Sequence, residues 1–325
     1  MTGGRSLPGS GQTRGRRDAG RWTGPACAVL GVFGFSFKGI LVKLAYQAYP
    51  VDPVTLLSLR MLYSAPMFCA MAWWASRTPG IVPAGGRDAL RLVWFGFIGY
   101  YAASLLDFQG LQYITASLER LVLYLYPTLV VLLSALLLGK RITRRAVAAL
   151  ILSYAGIALV FWHNLRFAGD ARTTLAGGAL VFASAALYAL YLVQAGALIA
   201  RLGSLRFVSW AMIASTVFVF AQFAATQPLE ALAVPAQVHW LAFVMAVVST
   251  VLPTWLIAES VRRMGADTAS LVGALGPVFT IGLGATILGE PVEALQLAGG
   301  ALVLVGVLLV TLRGRPAATE LAPEG

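Results

Sequence analysis

Residues 127–139 read PTLVVLLSALLLG, and 150 positions later residues 277–289 read PVFTIGLGATILG. The shift holds without a gap, since Gly156 falls on Gly306 as well. After the shared glycine the copies part in charge. The first continues KRITRRA, with Lys140, Arg141, Arg144 and Arg145; the second continues EPVEALQ, with Glu290 and Glu293 and no base. Basic loops stay on the cytoplasmic side of a membrane, whereas loops without Lys or Arg are free to cross. The two copies are therefore expected to lie upside down relative to each other, and inverted repeats are an architecture of secondary transporters.

Composition supports a membrane setting. Of 325 residues, 59% are hydrophobic and 11% charged, against roughly 25% charged in soluble domains; mean hydropathy is +0.80. The net charge of +11 is spread through short segments between apolar runs, a pattern that argues against a nucleic-acid partner. Cys27 and Cys69 both fall inside apolar runs and read as free packing thiols.

A spanning helix needs about 20 mostly apolar residues. Ten segments qualify, at 25–46, 54–75, 89–110, 116–138, 146–162, 175–200, 205–225, 239–260, 268–288 and 294–312, the fifth being short. The expected fold is an all-α membrane protein of ten transmembrane helices arranged as two inverted five-helix repeats, residues 25–162 and 175–312. Residues 1–24 read as a disordered basic cytoplasmic tail, and 313–325 as a short cytoplasmic one. The first apolar run has no clear cleavage site, which favours a first span over a removed signal peptide.

With the N-terminus inside, most of the 24 bases fall in inside segments, and the outside loops hold Arg166 and Arg172 alone. Both termini come out cytoplasmic, in a multi-pass protein of the inner or plasma membrane. Five spans per repeat is an odd number, so a duplicated unit must insert inverted.

Charges within spans are costly and are the default functional candidates. Lys38 lies near mid-bilayer in the first span. It either lines a cavity and attracts an anion, or serves as a structural ion-pair partner. Arg60 anchors a substrate carboxylate or pairs with Asp107, Glu119 or a backbone carbonyl. Asp107 is a candidate proton carrier or counter-ion for Lys38. Glu119, at a helix start, is favoured there by the helix dipole alone. Lys43 is expected to snorkel, and Glu259 to pair locally with Arg262 and Arg263. Pro127 and Pro277 each remove a backbone donor mid-helix. Paired interruptions in two halves point to a transporter binding site, with Tyr124 beside the first, though plain kinking for packing is the alternative. The glycines of the last span suit close contact with the fifth span, or a homodimer surface.

The stretches FGFSFKGILVKLAY, VDPVTLLSLRMLYSAP, GYYAASLLDFQGLQYITASLERLVLYLYPTLVVLLSALLLGKRIT and MGADTASLVGALGPVFTIGLGATILGEPVEALQLAGGALVLVGVLLV resemble the drug/metabolite transporter superfamily, specifically its ten-helix EamA-type members. The resemblance covers residues 25–312. It implies alternating access around a central cavity and a small-molecule substrate, without naming the cargo. The second half lacks a base equivalent to Lys38 or Arg60, so any charged site is one-sided.

The expected function is secondary transport of a small polar metabolite, anionic or zwitterionic and amino acid-like, with proton or exchange coupling. A hydrophobic drug or toxic compound is the alternative cargo. A sensor or intramembrane enzyme is the alternative of another class. The sequence holds no HExxH, CxxC, P-loop or GxSxG, so no enzyme, metal site or cofactor is expected.

Overall fold

The computed structural model describes residues 12–77, 85–139, 141–167, 170–264 and 272–311. They form helices joined by short connections, with no strand among them. Eight helices are long and apolar enough to cross a membrane: α1 (Thr23–Ala48), α2 (Pro53–Ser76), α3 (Gly86–Gly110), α4 (Ala116–Leu138), α5 (Arg144–Trp162), α6 (Ala171–Leu202), α7 (Ser204–Thr226) and α8 (Ala236–Met264). Two shorter apolar helices, α9 (Gly276–Ile287) and α10 (Ala294–Leu309), complete the order.

Local chemistry sets the ends. Asp52 accepts a 2.8 Å hydrogen bond from the Val54 N–H and Pro53 opens α2, since proline at the first turn surrenders a donor that has no helical partner. Thr115 caps α4 by accepting from the Leu118 N–H at 3.2 Å. The two quoted segments both stop on a glycine with positive φ, 64° at Gly139 and 66° at Gly289, a conformation that side chains disfavour.

Three expectations shift. The helix bearing α1 is continuous from Gln12, so residues 12–24 are helical rather than a loose tail. Extending an existing helix needs no new nucleus. The helix bearing α5, whose span was expected to be short, runs on from Arg144 to Phe167 over 24 residues. The ninth segment is broken: Val272 and Gly273 are helical, Ala274 and Leu275 form a turn, and the helix resumes at Gly276; its start at 268, like the tail 313–325, lies outside the described residues.

The packing exchanges the two halves. α1 packs on α8 as α6 packs on α3, and α1 on α9 as α6 on α4; α2 meets α7, α4 meets α9 and α5 meets α10. Each pairing maps onto another, or onto itself, when five is added to or taken from the helix number. The α5–α10 seam runs through glycines. A Cβ on Gly156 would stand 2.5 Å from the Gly299 carbonyl, and one on Gly306 would stand 2.7 Å from the Ala149 carbonyl. Of the two readings of these glycines, the structure shows the contact within the chain.

The largest buried cluster joins α1, α2, α3, α7 and α8 through Ile40, Leu56, Leu59, Met61, Phe68, Phe108, Met212 and Met245. α3 and α8 each carry a π-helical stretch, Gly96–Ala102 and Val247–Val251. These too superpose on a shift of 150 residues.

Candidate functional site

Two helix breaks meet at the centre. α4 divides into Ala116–Leu123 and Tyr126–Leu138, with Pro127 in the first turn of the second piece. Pro277 holds the same place at the start of α9. A proline here cannot bond the carbonyl four residues earlier, so the ladder opens at equivalent points of both repeats. The Ser36 hydroxyl of α1 donates to the Gly276 carbonyl at 3.1 Å, and the Thr128 hydroxyl to the Leu125 carbonyl at 2.7 Å. A Cβ on Gly276 would lie 2.8 Å from Arg120 Nη2 and 2.9 Å from the Tyr124 hydroxyl. The break in one repeat thus faces residues beside the break in the other.

A charged cluster adjoins them. Lys38 Nζ lies 2.6 Å from Asp107 Oδ2 and 3.2 Å from Glu119 Oε1. Both carboxylates are essentially inaccessible, at 1% exposure each. A buried charge of this kind is tolerable only when paired, and Lys38 gathers the α3 and α4 acids onto α1. Glu119, expected to be held by its helix dipole or to pair with Arg60, is part of this ion-pair set. Arg60 is sealed in the core at 5% exposure. Its Nη2 donates to Ser104 Oγ at 3.1 Å, and its guanidinium stacks over the Phe108 ring at 5.0 Å. Lys43 donates to the Leu111 carbonyl at 3.0 Å. Glu259 binds Arg262 and Arg263 at 2.5 and 2.6 Å.

The sequence-expected residues divide accordingly. Lys38 and Asp107 are in contact. Tyr124, Pro127 and Pro277 share the region of the breaks. Arg60 lies within the core near Asp107, where Ser104 and Phe108 hold it and no ion pair is made among the described residues.

Arg120 was not among the expected site residues. It follows Glu119 on the same short helix piece, is partly exposed, and lies over the Tyr124 ring at 5.6 Å. An aromatic wall continues from there. Ring centroids are 6.1 Å apart for Tyr124–Tyr126, 5.3 Å for Tyr126–Tyr188 and 5.5 Å for Tyr188–Tyr191. The Tyr191 and Tyr100 hydroxyls are 3.0 Å apart. One signal was available in the sequence: the shift of 150 residues that pairs the prolines also places Lys38 on Tyr188. Lys38 of the charged cluster and Tyr188 of the aromatic wall thus hold equivalent positions on α1 and α6.

On the α4 N-terminal face the halves are latched. Glu290, just past α9, accepts from the Ala116 N–H at 2.8 Å, from the Ser117 N–H at 3.1 Å and from the Ser117 hydroxyl at 2.6 Å. A carboxylate at a helix N-terminus is favoured by unpaired N–H groups and by the dipole.

Comparison with known proteins agrees with this architecture. The model of the EamA-like transporter family matches twice, over residues 22–162 and 175–312. An uncharacterized transporter, YcbK, of Bacillus subtilis (strain 168) is 30% identical over 279 residues, 83% of this chain and 87% of its own. A probable terminal-alkyne amino-acid exporter of Streptantibioticus cattleyicolor is 30% identical over 246 residues, 72% of this chain and 77% of its own. A solved crystal structure covering 88% of this chain and 97% of its own superposes with a TM-score of 0.59 at 22% identity, a likeness of fold.

Proposed function

The chain belongs to the EamA-like transporter family of the drug/metabolite transporter superfamily, and from that premise we propose that it moves a small polar metabolite, anionic or zwitterionic and amino acid-like, across the inner or plasma membrane by alternating access. The observation that carries this reading is the meeting of two proline breaks, at Pro127 and Pro277, beside the charges gathered on Lys38. Broken helices give a cargo polar backbone to bind, and they are tolerated in a bilayer only where protein or a cavity meets them. The relative named as an amino-acid exporter supports the cargo class.

In this reading the termini are cytoplasmic, as the distribution of bases implies. The cycle is driven by a gradient or by exchange, with Asp107 and Glu119 as the groups able to take up a proton. The Glu290 latch holds one face shut, and opening that face requires its three hydrogen bonds to break. No bond-making chemistry is assigned to the chain.

The test is flux in proteoliposomes, uptake and efflux, with a panel of amino acids and small carboxylates beside a panel of hydrophobic amphiphiles. Saturable, gradient-dependent movement of one of the polar compounds is expected. Movement of amphiphiles alone would replace the cargo assignment with the drug-export alternative.

A further inference from the structure

The charges at the centre do not cancel. Three cations, Lys38, Arg60 and Arg120, face two acids, Asp107 and Glu119, in the region where α1, α2, α3 and α4 converge. Lys38 is spent on both acids. Arg60 is closed off by Ser104 and Phe108. Arg120 makes no ion pair or side-chain hydrogen bond among the described residues; its Nε is buried without a partner, as is that of Arg60, but Arg120 alone of the two keeps accessible surface. A charge without a partner inside a membrane span is costly, so a cation left this way is retained for something that arrives.

We propose that Arg120 is the anchor for a substrate carboxylate, and that Tyr124, Tyr126 and Tyr188 form the wall against which an aromatic or unsaturated body of the same substrate packs. The assignment rests on the transport reading above and narrows it from polar metabolites to monoanionic carboxylates with a flat apolar group. Three features converge on it. The guanidinium fork matches a carboxylate in two parallel bonds. Its Nη2 points toward Gly276, at the start of α9, where a side chain would collide with it. The three tyrosines follow at ring-to-ring distances of 6.1 and 5.3 Å, with Tyr126 and Tyr188 both keeping accessible surface. The partly exposed rings of Tyr126 and Tyr188, backed by buried Tyr124, offer apolar faces with hydroxyl rims, suited to a planar group. One negative charge from the substrate would bring the centre to neutrality.

The experiment is ligand-induced thermal stabilisation of the purified full chain in lipid nanodiscs, which needs no transport. The probes are phenylpropionate, L-phenylalanine and phenylalaninamide. A ligand that binds only the folded state raises the unfolding midpoint in proportion to its occupancy. Both carboxylates are expected to raise it, phenylpropionate at least as much as phenylalanine, and the amide to leave it unchanged. Arg120→Gln is expected to weaken phenylpropionate on the order of ten- to a hundredfold, the loss of a charged hydrogen-bonded contact, and Arg120→Lys to weaken it less. Equal stabilisation by acid and amide in the wild type would overturn the proposal without any variant. So would unchanged phenylpropionate binding in Arg120→Gln, or the absence of any shift with all three probes. If flux of another metabolite persists while these probes fail, the transport reading stands and only the Arg120 assignment falls.

Discussion

The two repeats of this chain have the same backbone and different chemistry. Both break before a proline, both stop on a left-handed glycine and both carry a π-helical stretch in their third helix. At the positions where the first repeat places Lys38, Asp107 and Glu119, the second places Tyr188, Ile257 and Ala269. Backbone geometry is what an inverted duplication needs for two interchangeable states, and it is kept. Side-chain chemistry has diverged: the charged cluster lies wholly in the first repeat, and the second contributes Tyr188 and Tyr191 to an aromatic wall that the first repeat's Tyr100, Tyr124 and Tyr126 complete. Motion is thus a property of both repeats, whereas recognition is divided between them.

The sharpest way to break this contrast is to treat its mates alike. Lys38→Ala leaves Asp107 and Glu119 buried beside each other without their cation. Removing one partner of a buried ion pair costs about 3–5 kcal/mol, so thermal unfolding in nanodiscs is expected at a much lower temperature. Tyr188→Ala, at the equivalent position, removes a partly exposed ring and is expected to shift unfolding far less while weakening ligand binding. Similar losses of stability from both substitutions would dissolve the division between walls.

The α5–α10 seam tests the shared backbone. Gly156→Leu and Gly306→Leu each force a side chain into a space where even a Cβ meets a carbonyl within 2.7 Å. Overpacking costs about 1–3 kcal/mol, and equivalent positions in an inverted pair are expected to respond alike in urea-dependent unfolding. A large cost at one glycine with none at the other would show that the repeats no longer share this contact.

Much of the fold was legible because its signals are local. Hydrophobic runs of span length, glycine stops and proline breaks act through their own few residues, and the repeat shows in direct comparison of residues 127–139 with 277–289. The site was only partly legible. Lys38 and Asp107 stand out as charges in apolar runs, and they pair as counter-ions. The pairing of Glu119 with Lys38 was not legible, because an acid in a first helical turn has a sufficient local reason to be there. Arg120 was obscured by its neighbour, since nothing in the order Glu-Arg says which of the two is neutralised. That depends on Lys38 reaching across from α1. Tyr188 and Tyr191 lie in a helix of ordinary apolar composition, and their role shows only once α6 is packed against α3 and α4.

A smaller effect is expected at the latch. Glu290→Gln keeps the hydrogen-bonding shape and removes the charge facing the α4 N-terminus, a loss of about 0.3–1 kcal/mol. That is little against total stability and enough to change the populations of two balanced states severalfold. A cysteine placed at exposed Gln112 next to this face, in a background lacking Cys27 and Cys69, is expected to react faster with a membrane-impermeant thiol reagent in Glu290→Gln. An unchanged rate would mean that Glu290 caps the helix without holding the face closed.

The smallest expected effect on stability distinguishes the two breaks themselves. Pro127→Ala and Pro277→Ala each restore a backbone donor, and the unfolding temperature is expected to move little because the neighbouring turns are already fixed by packing and by the Ser36 and Thr128 hydroxyls. Flux is another matter. If the breaks serve as paired hinges, each substitution is expected to slow transport to a similar degree, since either half must flex in every cycle. If they serve to shape the substrate's surroundings, Pro277→Ala is expected to matter more, because Gly276 beside it is the residue that faces Arg120 and Tyr124. Measuring initial rates for the two single variants and the double variant separates these outcomes. Equal single effects argue for motion, whereas a dominant Pro277 effect, with little added by Pro127→Ala, argues that the second break is part of the binding surface.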